Sequence, residues 1–267
     1  MHLAFCSISA LDRSIEAAAA LAAQCGLDGL EVTAHAPHLD PEAGVNAARD
    51  IGRTVRAAGV DVVAYGSYLG RFGQVTRAHA EREAAIAIAL ETRLLRVWAE
   101  RIEEANDDVA PVVELMRAAC DVAAGSGIEV VIERHLGSFA DTPERIENLL
   151  RAIDRPNVAL NYQVLDFLPM SAIADQPNDA ARLVRHARYF HLKNYQANPM
   201  GEQVIPGGSL ADGVLDYGAI LPAALRAGYS GPLTIEFLAA DERPLEEKLA
   251  ADVAFVRDIL RNFENHD

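Results

Sequence analysis

Glu133 and His135 close the run VVIERH, His191 lies inside YFHLKN, and Glu236 lies inside PLTIEFL. Each of these apolar runs carries a carboxylate or an imidazole where an unpaired polar group would be costly to bury. A fourth run, NVALNYQ, carries two amides, Asn161 and Gln163. Two carboxylates, an imidazole and an amide oxygen form a mixed oxygen and nitrogen donor set, suited to Mn²⁺, Mg²⁺ or another borderline divalent ion more than to structural zinc. Such an ion polarises a carbonyl or stabilises an enediolate, and the flanking carboxylates can then move a proton between carbons.

The residues around these four widen the set. His135 stands two positions beyond Glu133 and shares its side of an extended chain, where it could touch a substrate or support Glu133. Lys193 stands in the same relation to His191 and could neutralise a developing oxyanion or pair with a carboxylate. Taken singly, a Glu or His in a strand is more often paired or capped than a ligand. Four at corresponding places in successive strands point to a site.

The elements that must position these residues follow a regular plan. Eight short apolar runs alternate with longer stretches of helical spacing. The runs are HLAFCSIS, GLEV, VDVVAYGS, LLRVWA, IEVVIE, NVALNYQ, RYFHLKN and PLTIEFL. They are too apolar to have a solvated face, as expected of a parallel sheet covered by helices. Asp141 or Thr142 before Pro143 offers a helix cap, while Gly59 and Gly228 each follow a helix and precede a strand. Eight strand–helix units in a chain of 267 residues predict an α/β fold, a single (β/α)8 TIM barrel over residues 1–267. The competing open doubly wound sheet would carry a glycine-rich loop after the first strand, and SISALDRS has none. In a barrel the carboxyl ends of all strands meet on one face, so residues far apart in sequence can share one site.

By that placement Tyr65, Ser67, Tyr68 and Arg71 belong to the end and loop of the third strand, where hydroxyls and a guanidinium suit a polyol or a carboxylate. Trp98, the sole tryptophan, ends the fourth strand and could form an apolar wall beside a sugar ring. Asn161 is a further substrate-binding candidate. Glu31 and His38 flank the second strand, and Glu31 is a weak polar candidate for the site. His2, His79, His186 and His266 receive no role. The glycine-containing segment NPMGEQVIPGGSLADG, residues 198–213, is long enough to cover the barrel mouth as a mobile flap.

The formal net charge of −15 argues against a nucleic-acid partner. Three scattered cysteines suggest neither a disulfide framework nor a thiolate metal site. With no basic leader and no apolar run of spanning length, the expectation is a cytoplasmic protein with no membrane partner. If copies associate, a homodimer is the expected form.

These residues in this order resemble the xylose isomerase-like TIM barrel superfamily, which includes sugar phosphate isomerases and epimerases and the AP endonuclease family 2. The resemblance runs through YGSY (Tyr65–Tyr68), RVWA (Arg96–Ala99), Glu133 to Thr142, Gln163, HLKN and GVLDYGAILPAALRAGYSGPLTIEF (Gly213–Phe237). It implies one divalent metal ion (Mn²⁺, Mg²⁺, Co²⁺ or Zn²⁺) held by Glu133, His191, Glu236 and one residue of the sixth strand. Most epimerase-like relatives place an Asp there, often with a His three residues on, whereas this chain has Asn161 and Val164. Gln163 is the first choice for the fourth ligand, Asn161 the second and Asp166 the third.

The leading functional expectation is a metal-dependent isomerase or epimerase of a sugar, keto-sugar or polyol, with Glu133 and Glu236 as base and acid. A lyase or dehydratase acting on a keto-inositol or 3-keto-glycoside uses the same enediolate and is the first alternative. The DNA-repair branch fits poorly, because the extra histidines are absent and the chain is acidic. A non-catalytic sugar-binding barrel is the alternative of another class, favoured only by the missing Asp.

Overall fold

The computed structural model describes residues 1–100 and 108–266. Eight parallel strands close into a barrel: β1 (Leu3–Cys6), β2 (Gly29–Thr33), β3 (Asp61–Gly66), β4 (Leu94–Val97), β5 (Glu129–Glu133), β6 (Val158–Tyr162), β7 (Ala187–Leu192) and β10 (Leu233–Ile235). Closure comes from β10, which pairs with β7 on one side and with β1 on the other. Eight helices lie around it: α1 (Ile15–Gln24), α2 (Gly44–Ala57), α3 (Arg77–Leu90), α4 (Ala110–Ala123), α5 (Pro143–Ile153), α6 (Gln176–Leu183), α7 (Tyr217–Arg226) and α8 (Leu245–His266). The alternation expected from the sequence is therefore the observed α/β TIM barrel. Among the described residues, no helix is long and apolar enough to cross a membrane.

The local signals work by ordinary chemistry. Thr142 caps α5, accepting from the Arg145 N–H, with Pro143 in the first turn. Gly59 and Gly228 take φ of 90° and 93° as the chain leaves α2 and α7, a conformation that a Cβ would oppose. The alternation of side chains along each strand then sorts the barrel into two environments. Outward residues such as Phe5, Leu30 and Ile132 pack in the main core shared with the helices. Inward residues Ala64, Leu94, Val131, Ala159 and Tyr189 form a separate apolar layer.

The segment expected as a mobile flap is structured instead. Strand β9 (Ile205–Gly208) lies within it and pairs antiparallel with β8 (Asn194–Gln196), which directly precedes it. The Asn194 side chain fixes this excursion, donating to Leu210 O and Leu215 O and accepting from the Tyr195 and Leu215 N–H groups. These bonds satisfy backbone groups that a loose loop would leave to water.

Candidate active site

Two residues beyond the apolar inward layer, toward the carboxyl ends, the same strands present Gly66, Arg96, Glu133, Asn161 and His191, and β2 adds Glu31. The pleat explains the step, because positions i and i+2 face the same side. A further two residues on come Trp98, His135, Gln163 and Lys193, while Glu236 follows directly after β10. These residues form a polar floor under a cavity of about 280 Å³, lined among others by Tyr68, Arg71, Trp98, His135, Asp166 and Phe237.

Charge pairing organises the floor. Arg96 is 3% exposed and bridges two carboxylates, with Nε 3.0 Å from Glu31 Oε1 and Nη1 2.5 Å from Glu133 Oε2. Gly66 makes this crossing possible. A Cβ there would stand 2.3 Å from Glu31 Oε1 and 2.5 Å from Arg96 Nη2, so any side chain would push the ion pair aside. Glu31 also accepts from Tyr189 Oη at 2.7 Å and from His191 Nε2 at 2.6 Å. Burial alone would raise the Glu31 carboxyl, but His191 and Arg96 outweigh it and hold its pKa below the usual range. Burial likewise disfavours a charged His191, yet Glu236 and Glu31 push it up to about 10.

The two carboxylates first expected to share the chemistry sit in unequal surroundings. Both Glu133 oxygens are engaged, Oε2 by Arg96 and Oε1 by Gln163 Nε2 at 3.0 Å. Glu236 Oε2 lies 3.5 Å from both His191 Nδ1 and Lys193 Nζ and accepts a well-formed hydrogen bond from neither. Lys193 Nζ bonds instead to Asp166 Oδ2 at 3.1 Å. Burial disfavours the Lys193 ammonium, but Glu236, Asp166 and Glu133 together raise its pKa.

The donor chemistry suits a cation. Glu31 takes the Nε2 side of His191, which leaves Nδ1 turned toward Glu236 and Asn161, the arrangement in which a carboxylate orients a ligating imidazole. Asn161 Nδ2 lies 3.3 Å from that Nδ1, while Asn161 Oδ1, Gln163 Oε1 and Glu236 Oε2 are buried without a hydrogen-bond donor. Oxygens with no proton to accept are what a metal ion would satisfy. Among the described residues, no three His, Cys, Asp or Glu side chains gather closely enough to hold an ion as they stand. The amides of Asn161 and Gln163 add oxygens to the carboxylates and the imidazole around that point. Gln163 has its NH₂ committed to Glu133 and to Arg134 O. Asn161, beside His191, can turn its oxygen to the same point by rotating its amide.

Other expected residues divide. Tyr68, Arg71, Trp98 and His135 line the cavity. Trp98 is held by an Nε1 bond to Ser67 O at 3.0 Å, stacks with Tyr68 and meets His135 edge-on at 5.0 Å. Tyr65 does not belong with them. Its parity points it outward, and its hydroxyl donates to Glu83 of α3 at 2.5 Å. Ser67 is also removed from the mouth, its hydroxyl donating to Arg96 O at 2.6 Å and so bracing β4. His38 lies within the loop after β2, buried, with Nε2 3.1 Å from Arg13 O. The sequence reading missed Arg96 as a floor residue and underweighted Glu31. Both sit at inward positions by the same period-two count, which was the signal available.

Comparison with known proteins agrees with this architecture. A family model described as xylose isomerase-like TIM barrel matches residues 19–259. An inosose dehydratase of Geobacillus thermodenitrificans is 29% identical over 132 residues, covering 43% of this chain and 42% of that protein. The match thus spans less than half the length of that relative. A crystal structure of 3-keto-D-glucoside 4-epimerase YcjR from E. coli superposes with a TM-score of 0.72 at 18% identity, covering 97% of this chain and 99% of the other. A xylose isomerase-like TIM barrel protein from Mycobacterium smegmatis in complex with magnesium gives 0.71 at 18% identity, covering 93% and 88%. At such identities these structures establish the shared fold.

Proposed function

The chain belongs to the xylose isomerase-like TIM barrel family, and from that premise we propose that it is a divalent-metal-dependent isomerase or epimerase of a sugar or keto-sugar. The observation that carries the reading is the unpartnered Glu236 Oε2 at the cavity floor, flanked by His191 Nδ1 and Lys193 Nζ. Glu133, Asn161, His191 and Glu236 are the residues that would hold the ion, with Asn161 preferred over Gln163 as the amide. When bound, the ion would polarise a substrate carbonyl and acidify the neighbouring C–H.

Glu236 is placed to take that proton through the carboxylate oxygen that the ion would leave free. Glu133 Oε1 becomes available when Gln163 releases it, so Glu133 serves on the other side, passing to the substrate carbon a proton that it first takes from solvent. Lys193 donates to the developing oxyanion when it leaves Asp166. Trp98 and Tyr68 give the ring an apolar wall, and His135 offers a hydrogen bond beside it. A dehydratase reading has its own support in the inosose dehydratase relative and in the Lys193–Asp166 pair, which could protonate a departing hydroxyl.

Either chemistry begins with removal of a carbon-bound proton. Incubation of the Mn²⁺-loaded protein in D₂O with a panel of ketohexoses, keto-inositols and 3-keto-glucosides tests this step. Deuterium should enter at the carbon beside the carbonyl of at least one compound, and Glu236→Gln should abolish it. Absence of exchange across the panel would defeat the proposal.

A further inference from the structure

Beside the catalytic cavity lies a second one of about 410 Å³, and the two share Ile8 and Phe237 as a common wall. Its remaining lining is mostly apolar, including Pro206, Leu238, Ala240 and Leu245, with the Lys248 ammonium at its edge tied to Asp241 O at 2.5 Å. The β8–β9 hairpin contributes Pro206 and Gly207 to it. Ala240 N–H donates to Gly207 O at 2.9 Å, and a Cβ on Gly207, whose φ is 104°, would come within 2.5 Å of the Ala240 methyl. A glycine is thus required for the hairpin to close against the loop after β10.

The backbone marks the barrel mouth, and with it the shared Phe237 wall. Among the described residues, five that are not glycine have left-handed φ. Glu91 and Asp154 close helices, where that conformation is common. The other three are Phe72, Phe167 and Phe237, with φ of 50°, 56° and 54° and exposures of 72%, 46% and 45%. All three follow the carboxyl ends of barrel strands. A bulky aromatic residue in this conformation is strained, and such strain gathers at ligand clamps. Exposing the ring as well costs apolar hydration, so both costs are accepted at the mouth alone.

Resting on the sugar-processing reading above, we propose that the substrate carries a flat apolar group, such as the aryl aglycone of a glycoside, and that this group occupies the second cavity across the Phe237 wall. The oxygen-rich ring would sit over the polar floor, in the cavity of about 280 Å³. A void of about 150 Å³ already accommodates benzene, so the neighbouring 410 Å³ takes an aryl group with space to spare. Its lack of hydrogen-bonding side chains, Ser9 and Lys248 apart, favours such a group over a second sugar.

The test compares 4-nitrophenyl β-D-glucopyranoside, methyl β-D-glucopyranoside and free 4-nitrophenol by calorimetry and ligand-observed NMR, with wild-type protein and with Leu245→Trp, which fills the second cavity from α8. The expected result is aryl glucoside binding at least about ten-fold tighter than the methyl glucoside, with that ratio collapsing toward one in Leu245→Trp while the unfolding midpoint holds. Equal affinity for both glucosides would overturn the inference and leave the sugar reading standing. Binding of 4-nitrophenol to wild type but not to Leu245→Trp, with neither glucoside bound, would uphold the apolar subsite and count against the sugar assignment. Failure of all three to bind, or their exclusion in a concentration-dependent dimer, would assign the cavity to something other than substrate.

Discussion

Glu31 on β2 and His191 on β7 meet inside the barrel, carboxylate oxygen to Nε2, at 2.6 Å, and both are fully buried. The contact joins strands separated by β1 and β10 and decides which imidazole nitrogen faces Glu236. A ligand whose rear nitrogen is held this way keeps its orientation and gains basicity.

Glu31→Gln keeps the shape of this contact and removes its charge. Mn²⁺ affinity should fall by about 10–100-fold, the usual cost of losing such an outer partner. Titration of the thermal midpoint with Mn²⁺ measures it, and an unchanged affinity would show that Glu31 supports the fold and not the ion.

Arg96 neutralises two buried carboxylates at once. Replacing it with Met strands Glu31 and Glu133, at a cost of about 3–5 kcal/mol. Adding Glu31→Gln to Arg96→Met should recover part of that loss, because the two groups are coupled. Urea unfolding of the two single variants and the double variant gives the coupling energy. Strict additivity would mean that the pair contributes nothing jointly.

Asp252 of α8 is 2% exposed and accepts from the Leu210 N–H at 2.9 Å, tying the mouth loop to the helix layer. Burial raises its pKa to about 6, with Asp212 and Asp241 adding to the rise and the Leu210 N–H and Arg243 opposing it. The folded-state pKa lies above the unfolded one, so its contribution to stability is fully present below about pH 4 and is lost as pH rises through about 6. Asp252→Asn retains the acceptor oxygen without the charge. It should stabilise the protein at pH 7.5 by on the order of 1–3 kcal/mol and change little at pH 4.5. Urea midpoints at the two pH values check the sign, and a loss of stability at pH 7.5 would contradict it.

The barrel was legible because its strands are apolar on both faces and its helices begin and end on ordinary caps. The period-two count also reached most of the floor, since Glu133, Asn161, His191 and the residues two positions beyond them share one face. Tyr65 was misplaced because its neighbours Gly66 and Ser67 suggested a mouth loop, while its own parity sends it to Glu83. Arg96 was passed over for a similar reason. A cation between leucine and valine gives no local sign that two glutamates from β2 and β5 await it. Strand β9 contains Pro206 and two glycines, so local propensity describes a loop. Its order comes from Asn194 bonds to residues more than a dozen positions away, which no window of sequence contains.

The central claim is that Glu236, His191 and Asn161 form the heart of a divalent cation site at the barrel mouth. Thermal unfolding of chelated wild-type protein and of Glu236→Gln, each titrated with Mn²⁺, tests it most directly, since a ligand of the folded state must raise the midpoint by mass action. The account predicts a saturable upward shift in the wild type that is absent in Glu236→Gln. An equal shift in both proteins, or no shift in either, would contradict it.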